Sequence, residues 1–123
     1  MLIITGQTMA KSGLMLLARI VGYAATPITQ ASLTSIDYAV YDLTGASSIG
    51  TGSLTISATV YDALQTDAVW DKDDDGYNFR WIVPASLLQN GDHRYRIDVR
   101  FIPVSGEAFV QSWEFELTKV YVS

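Results

Sequence analysis

The chain has 123 residues, of which 49% are hydrophobic and 17% charged, and its formal net charge is -5. This length fits one domain around one hydrophobic core, and the small charged fraction leaves little sequence for a disordered tail. The negative charge argues against nucleic acid as a partner, because a phosphate backbone would be repelled. The chain has no cysteine, which excludes disulfides and cysteine-ligated metal sites.

We expect residues 1–123 to form a single domain, in which residues 1–12 provide an N-terminal strand or an arm. The apolar stretch 14–21 is interrupted by Arg19, so we do not expect a signal peptide there. No run of the sequence approaches the roughly 20 apolar residues that a transmembrane helix needs. The sequence therefore predicts neither a secretory leader nor a membrane anchor.

Alternation of apolar and polar residues is the main structural signal, and it predicts β-strands. The predicted strands are residues 2–5, 14–21, 36–41, 54–61, 77–83, 95–101 and 109–117. Short strands separated by turn residues are typical of two packed antiparallel sheets. The predicted fold class is all-β, an antiparallel sandwich of seven strands with Greek-key connections.

The last two predicted strands specify their own register. A three-residue loop at 104–106, in which Gly106 supplies the positive φ of a bulged hairpin turn, places core-facing residues opposite one another. The expected inner pairs are Ile97 with Trp113 and Tyr95 with Phe115, and the expected outer pairs are Arg96 with Glu114 and Arg94 with Glu116. Exposed ion pairs of this kind contribute at most about 1 kcal/mol, so they fix register more than stability.

A short corner precedes the sixth predicted strand, where Pro84 opens one helical turn. Leu88, Gly91 and Tyr95 there resemble the tyrosine corner of immunoglobulin and fibronectin type III domains. The resemblance implies an immunoglobulin-like sandwich in which the Tyr95 hydroxyl bonds to nearby backbone. The chain departs from antibody domains because it has no cysteine pair and no buried tryptophan in the third strand. Trp81 and Trp113 lie instead on core-facing positions of later predicted strands.

The acidic segment before the fifth strand is the most suggestive short motif. Asp71, Asp73 and Asp75 are followed by Gly76, a spacing that matches the first half of a calcium-binding loop. An EF-hand would need a glutamate at the twelfth position, where this chain has Ile82, so that motif is excluded. A looser surface Ca²⁺ site remains as an alternative to a solvated acidic turn. No other cofactor is indicated.

Residues suited to catalysis are few. The single histidine, His93, is interpreted as an exposed turn residue rather than a general base, because no nucleophile stands at a recognised spacing from it. Glu114 and Glu116 lie on one strand face, but their predicted arginine partners favour ion pairs over a glycosidase pair. We therefore predict that the chain is not an enzyme.

Three aromatic side chains are candidates for an exposed binding platform. They are Trp70, beside the acidic segment, and Tyr41 and Tyr61, on the outer faces of their predicted strands. Aromatic rings on a sandwich surface can stack on sugars. The alternative interpretation is that these residues pack in the core or form a subunit contact.

The strand layout also resembles the immunoglobulin-like domains of tailed-phage virion proteins, such as capsid decoration proteins and baseplate components. The similar segments are residues 27–29, 36–42, 75–77 and 112–117. The resemblance implies a non-enzymatic structural module in a virion, a homo-oligomer or part of a larger assembly, that contacts copies of itself or other virion proteins. Residues 1–5 would then form an arm on a neighbouring subunit. The alternative prediction is a module that binds carbohydrate or a cell-surface ligand, assisted by calcium.

Overall fold

The computed structural model describes residues 3–22, 26–67, 70 and 75–121, with side chains from residue 9 onwards. Within these ranges the chain forms eight strands and one short α-helical turn. In chain order they are β1 (Ile3–Met9), β2 (Leu14–Ala18), β3 (Leu33–Asp42), β4 (Ser47–Leu54), α1 (Ile56–Thr59), β5 (Val60–Gln65), β6 (Tyr77–Val83), β7 (Arg94–Pro103) and β8 (Phe109–Thr118). The described residues contain no helix with the length and apolar composition needed to cross a bilayer.

The strands form two sheets packed face to face. The larger sheet has the order β1-β8-β7-β3-β4, and the smaller has the order β2-β6-β5. Strand pairs are antiparallel except that β1 runs parallel to β8. The connections after β2, β4 and β6 each pass from one sheet to the other. This is the strand arrangement of an immunoglobulin-like sandwich, and the all-β prediction is confirmed.

An aromatic core joins the two sheets. Phe79 of β6 meets Phe101 edge to face at a centroid distance of 5.3 Å and stacks on Trp113 at 5.9 Å. Such arrangements stabilise beyond the apolar area that they bury. Trp113 is buried as predicted. Trp81 is only half-buried and packs against Tyr38, with 4.7 Å between the ring centroids.

The strand predicted at 54–61 is wrong: two strands, Ser47–Leu54 and Val60–Gln65, lie on either side of a helical turn there, which raises the count from seven to eight. The chain leaves the large sheet at Leu54, turns through α1 and joins the small sheet at Val60. The backbone N–H of Ala58 and the Thr59 hydroxyl both donate to the Thr55 carbonyl, at 3.1 Å and 3.0 Å. These hydrogen bonds satisfy the Thr55 carbonyl and the Ala58 N–H while the chain crosses between the sheets. An extended strand at this point would have no neighbouring strand to pair with these groups.

The predicted β7–β8 register is confirmed. Ile97 lies opposite Trp113, Tyr95 opposite Phe115, Arg96 opposite Glu114 and Arg94 opposite Glu116. Gly106 has a φ of 101°, as the turn requires. The loop is longer than three residues, because pairing stops at Phe101 with Phe109. One expected ion pair differs, since Arg94 Nε turns diagonally to Glu114, at 3.4 Å, rather than to Glu116.

The segment between β6 and β7 has the geometry of a tyrosine corner. Tyr95 and Leu88 are fully buried, and the Tyr95 hydroxyl accepts a long hydrogen bond of 3.4 Å from the backbone N–H of Asn90. Gly91 lies so close to Lys119 that an added Cβ would stand 2.7 Å from the lysine Cα. Glycine at this position therefore lets the corner pack against the end of β8.

Asn78 holds the segment after β2 in place. Its side chain is buried, accepts from the backbone N–H of Ile20 at 2.6 Å, and donates to the carbonyls of Ile20 and Ile28 at 2.9 Å and 3.0 Å. One amide thus satisfies three buried backbone groups. This connection fixes the path of the chain from β2 towards β3.

Replacing Asn78 by alanine should lower the free energy of unfolding by about 3 kcal/mol, because three buried backbone groups lose their partner. The control is Gln89→Ala, which removes one exposed side-chain hydrogen bond to the Ala85 carbonyl and should cost about 1 kcal/mol or less. Urea denaturation followed by tryptophan fluorescence measures both. Equal losses for the two variants would contradict this role for Asn78.

Candidate functional site

The outer face of the small sheet is apolar. We define the apolar face as Met15 and Leu17 of β2 with Arg80 and Ile82 of β6. Met15 lies opposite Ile82 and Leu17 opposite Arg80 in the strand register. Met15 is 37% exposed and Ile82 54% exposed. Contiguous exposed apolar residues on a protein surface mark contact sites more often than isolated ones do.

The sequence of β2 explains this face. Its five residues, Leu-Met-Leu-Leu-Ala, are apolar on both sides of the strand. Alternation sends Leu16 and Ala18 into the core, so Met15 and Leu17 must point outward. β2 is also an edge strand that pairs only with β6 among the described residues. Its other backbone edge is available for a partner.

Arg80 is the charged group of the apolar face, and it differs from the other arginines. Those four each contact a carboxylate: Arg19 contacts Asp75, Arg94 contacts Glu114, Arg96 contacts Asp98 and Glu114, and Arg100 contacts Asp37. The half-buried Arg80 side chain makes no hydrogen bond or ion pair within the described parts of the chain. Beside it lies a depression of about 300 Å³, lined by Ala58, Thr59, Tyr61, Arg80, Trp81 and Ile82. No carboxylate lines this depression.

The outer face of the large sheet has the opposite character. Asp98 accepts hydrogen bonds from the Ser112 hydroxyl at 2.5 Å and from Arg96 Nε at 2.9 Å. Arg100 donates to Asp37 on the neighbouring strand at 2.8 Å. The three arginines of β7 on this face therefore each pair with a carboxylate of the same sheet.

The three aromatic candidates do not form one platform. Tyr61 and Trp70 both pack on the buried Tyr77, at centroid distances of 5.8 Å and 5.7 Å. Tyr41, 40% exposed, lies on β3 in the other sheet. Burial raises the pKa of Tyr77, and the hydrogen bond that its hydroxyl donates to Asp67 at 2.9 Å raises it further. Tyr61 borders the depression beside Arg80, and Trp70 is not among the residues that line it.

Of the three aspartates in the acidic motif, the structure describes only Asp75. Asp71 and Asp73 lie outside the described residues, and Asp75 stands 3.9 Å from Arg19. Across the described ranges, no three acidic or histidine side chains cluster as metal ligands. Ca²⁺ binding at this motif stays a prediction.

His93 is not the freely exposed turn residue that the sequence suggested. Its Nδ1 lies 2.6 Å from Oδ2 of Asp42, a carboxylate that is almost fully buried. Because an ionised carboxylate only accepts hydrogen bonds, Nδ1 carries the proton. Asp42 also accepts from the Gly45 N–H at 2.9 Å and from the Asn90 amide at 3.0 Å. The carboxylate therefore ties the β3–β4 turn to the tyrosine corner.

Burial alone would raise the pKa of Asp42. The hydrogen bonds from Gly45, His93 and Asn90 and the charge of His93 outweigh burial, so the net pKa lies below the ordinary value of 3.8. Within the described residues, Asp42 is the only hydrogen-bond partner of the His93 ring. This pair has the geometry of a structural connection between loops.

Comparisons with known protein families, with curated proteins and with solved structures found no match.

The Asp42 network predicts a specific pH dependence. A carboxyl whose folded pKa is depressed stabilises the fold above its unfolded pKa, and this stabilisation is lost as pH falls through the folded pKa. Asp42→Asn should be clearly less stable than the wild type at neutral pH, and the difference should shrink below pH 3.8. Chemical denaturation from neutral pH to below pH 3.8 measures the difference in free energy of unfolding between the wild type and Asp42→Asn. The control is Asp37→Asn, a substitution at a half-buried aspartate. A difference that stays constant with pH would contradict the assignment.

Proposed function

We propose that the protein is a non-enzymatic assembly module that acts through protein–protein contacts. The observation that carries this proposal is the apolar face, where Met15 and Ile82 are exposed side by side next to Arg80, which pairs with no carboxylate in the described parts of the chain. Methionine, arginine and aromatic residues are enriched in protein interfaces. The open edge of β2 adds backbone groups that a partner can pair with.

A virion component, either a capsid decoration protein or a tail or baseplate accessory, is our more specific proposal. Its support is the similarity of the strand layout to immunoglobulin-like domains of tailed-phage proteins, together with a face suited to repeated contact. Such a module would work in many copies, bound to one another or to other virion proteins.

Carbohydrate binding is less well supported. That function needs an aromatic ring whose flat side is open to a sugar. Trp70 is half-buried and packs on Tyr77, and Tyr41 lies on the other sheet. Assembly therefore remains the proposed function.

Light scattering over a series of protein concentrations tests the proposal. The wild type should exceed the monomer mass of 13.5 kDa as concentration rises, because association covers the apolar face. Ile82→Asp should shift the population towards monomer by placing a charge in that contact.

The matched control is Leu43→Asp, which adds the same charge at a loop residue that is 38% exposed and lies outside the apolar face. It should leave the mass unchanged. A wild type and an Ile82→Asp variant with the same mass at every concentration would contradict assembly through this face.

A further inference from the structure

From the charge distribution we infer that the apolar face binds the β7–β8 hairpin tip of a second copy of this chain. This inference rests on the proposed function and specifies the partner surface. We define the hairpin tip as residues 104–108, the loop between β7 and β8. The contact joins two different surfaces, so each copy offers one of each.

The hairpin tip has the properties that complement the apolar face. Val104 is 68% exposed, more than any other large hydrophobic residue whose side chain is described except Tyr121. Glu107, three residues further on, is exposed and has no ion pair or hydrogen bond among the described residues. The tip therefore presents an aliphatic side chain and an uncompensated carboxylate together.

The backbone of the hairpin tip is held in place before any contact forms. The backbone N–H of Val104 donates to the Ser32 carbonyl at 2.9 Å. Gly106 adopts the positive φ that closes the turn. A preorganised loop loses less conformational entropy on binding than a flexible one.

Charge determines which surfaces can meet. In the proposed contact, Glu107 of one copy pairs with Arg80 of the next, while Val104 packs in the depression bordered by Tyr61 and Ile82. The apolar parts are removed from water, and each charge gains a partner that it does not have among the described residues of its own chain.

A symmetric contact of the apolar face with itself is disfavoured. A twofold axis through the face would bring two Arg80 side chains near each other, and the residues that line the depression include no carboxylate to separate them. Like charges that face each other across an interface cost binding energy. A contact between two different surfaces instead generates a ring or an open filament.

Charge reversal tests the pairing. Arg80→Glu and Glu107→Arg should each weaken self-association about tenfold or more, measured by sedimentation over a concentration series. The double variant Arg80→Glu/Glu107→Arg should recover association, because the charges are exchanged between the two surfaces. Circular dichroism verifies that each variant is folded.

The control is Glu116→Arg, which reverses an exposed carboxylate on the outer face of the large sheet and should not change association. Single reversals without effect, or a double variant that stays weak, would overturn the inference while leaving assembly intact. A wild type that is monomeric at all concentrations would overturn both the inference and self-assembly.

Discussion

The packing of Phe79 between the two sheets is the contact on which the rest of the structure depends. Its ring touches Phe101 and Trp113 of the large sheet, and this contact fixes which side of β6 faces the core. Side chains alternate along a strand, so Arg80 and Ile82 must then point outward. The partner strand β2 is apolar on both sides, and burial of one side exposes the other. The apolar face is therefore a direct consequence of how the core is built.

The two outer faces of the sandwich differ in whether carboxylates compensate their arginines. On the large sheet, exposed arginines meet carboxylates of the same chain, as Arg100 meets Asp37. On the small sheet, Arg80 stands among apolar side chains and contacts none of the carboxylates that the structure describes. A surface whose arginines are compensated by nearby carboxylates gains less from a partner than an apolar surface with one arginine that none of the described carboxylates contacts. The proposed function by contact rests on this difference between the two faces.

The sequence is most informative where two independent patterns agree. In the β7–β8 hairpin, apolar and charged alternation specify one register, and the structure has it. β4 is rich in serine and glycine, so alternation does not reveal it, while the alternation over 54–61 continues through a crossing between sheets. The contact of His93 with Asp42 joins residues 51 positions apart, and no local motif marks it. Which carboxylates come near Arg80 depends on the packing of the strands around it, which the sequence pattern does not show.

The chain has no cysteine, so single cysteines can report directly on the proposed contact. Proteins carrying Ile82→Cys and Val104→Cys are mixed under a mild oxidant, and the cross-linked species are separated by mass. A disulfide requires Cα atoms within about 7 Å, so only surfaces that meet in the assembly become linked. We predict a mixed dimer bonded between positions 82 and 104. Absence of that species, or a dimer linked only between two copies of position 82, would contradict it.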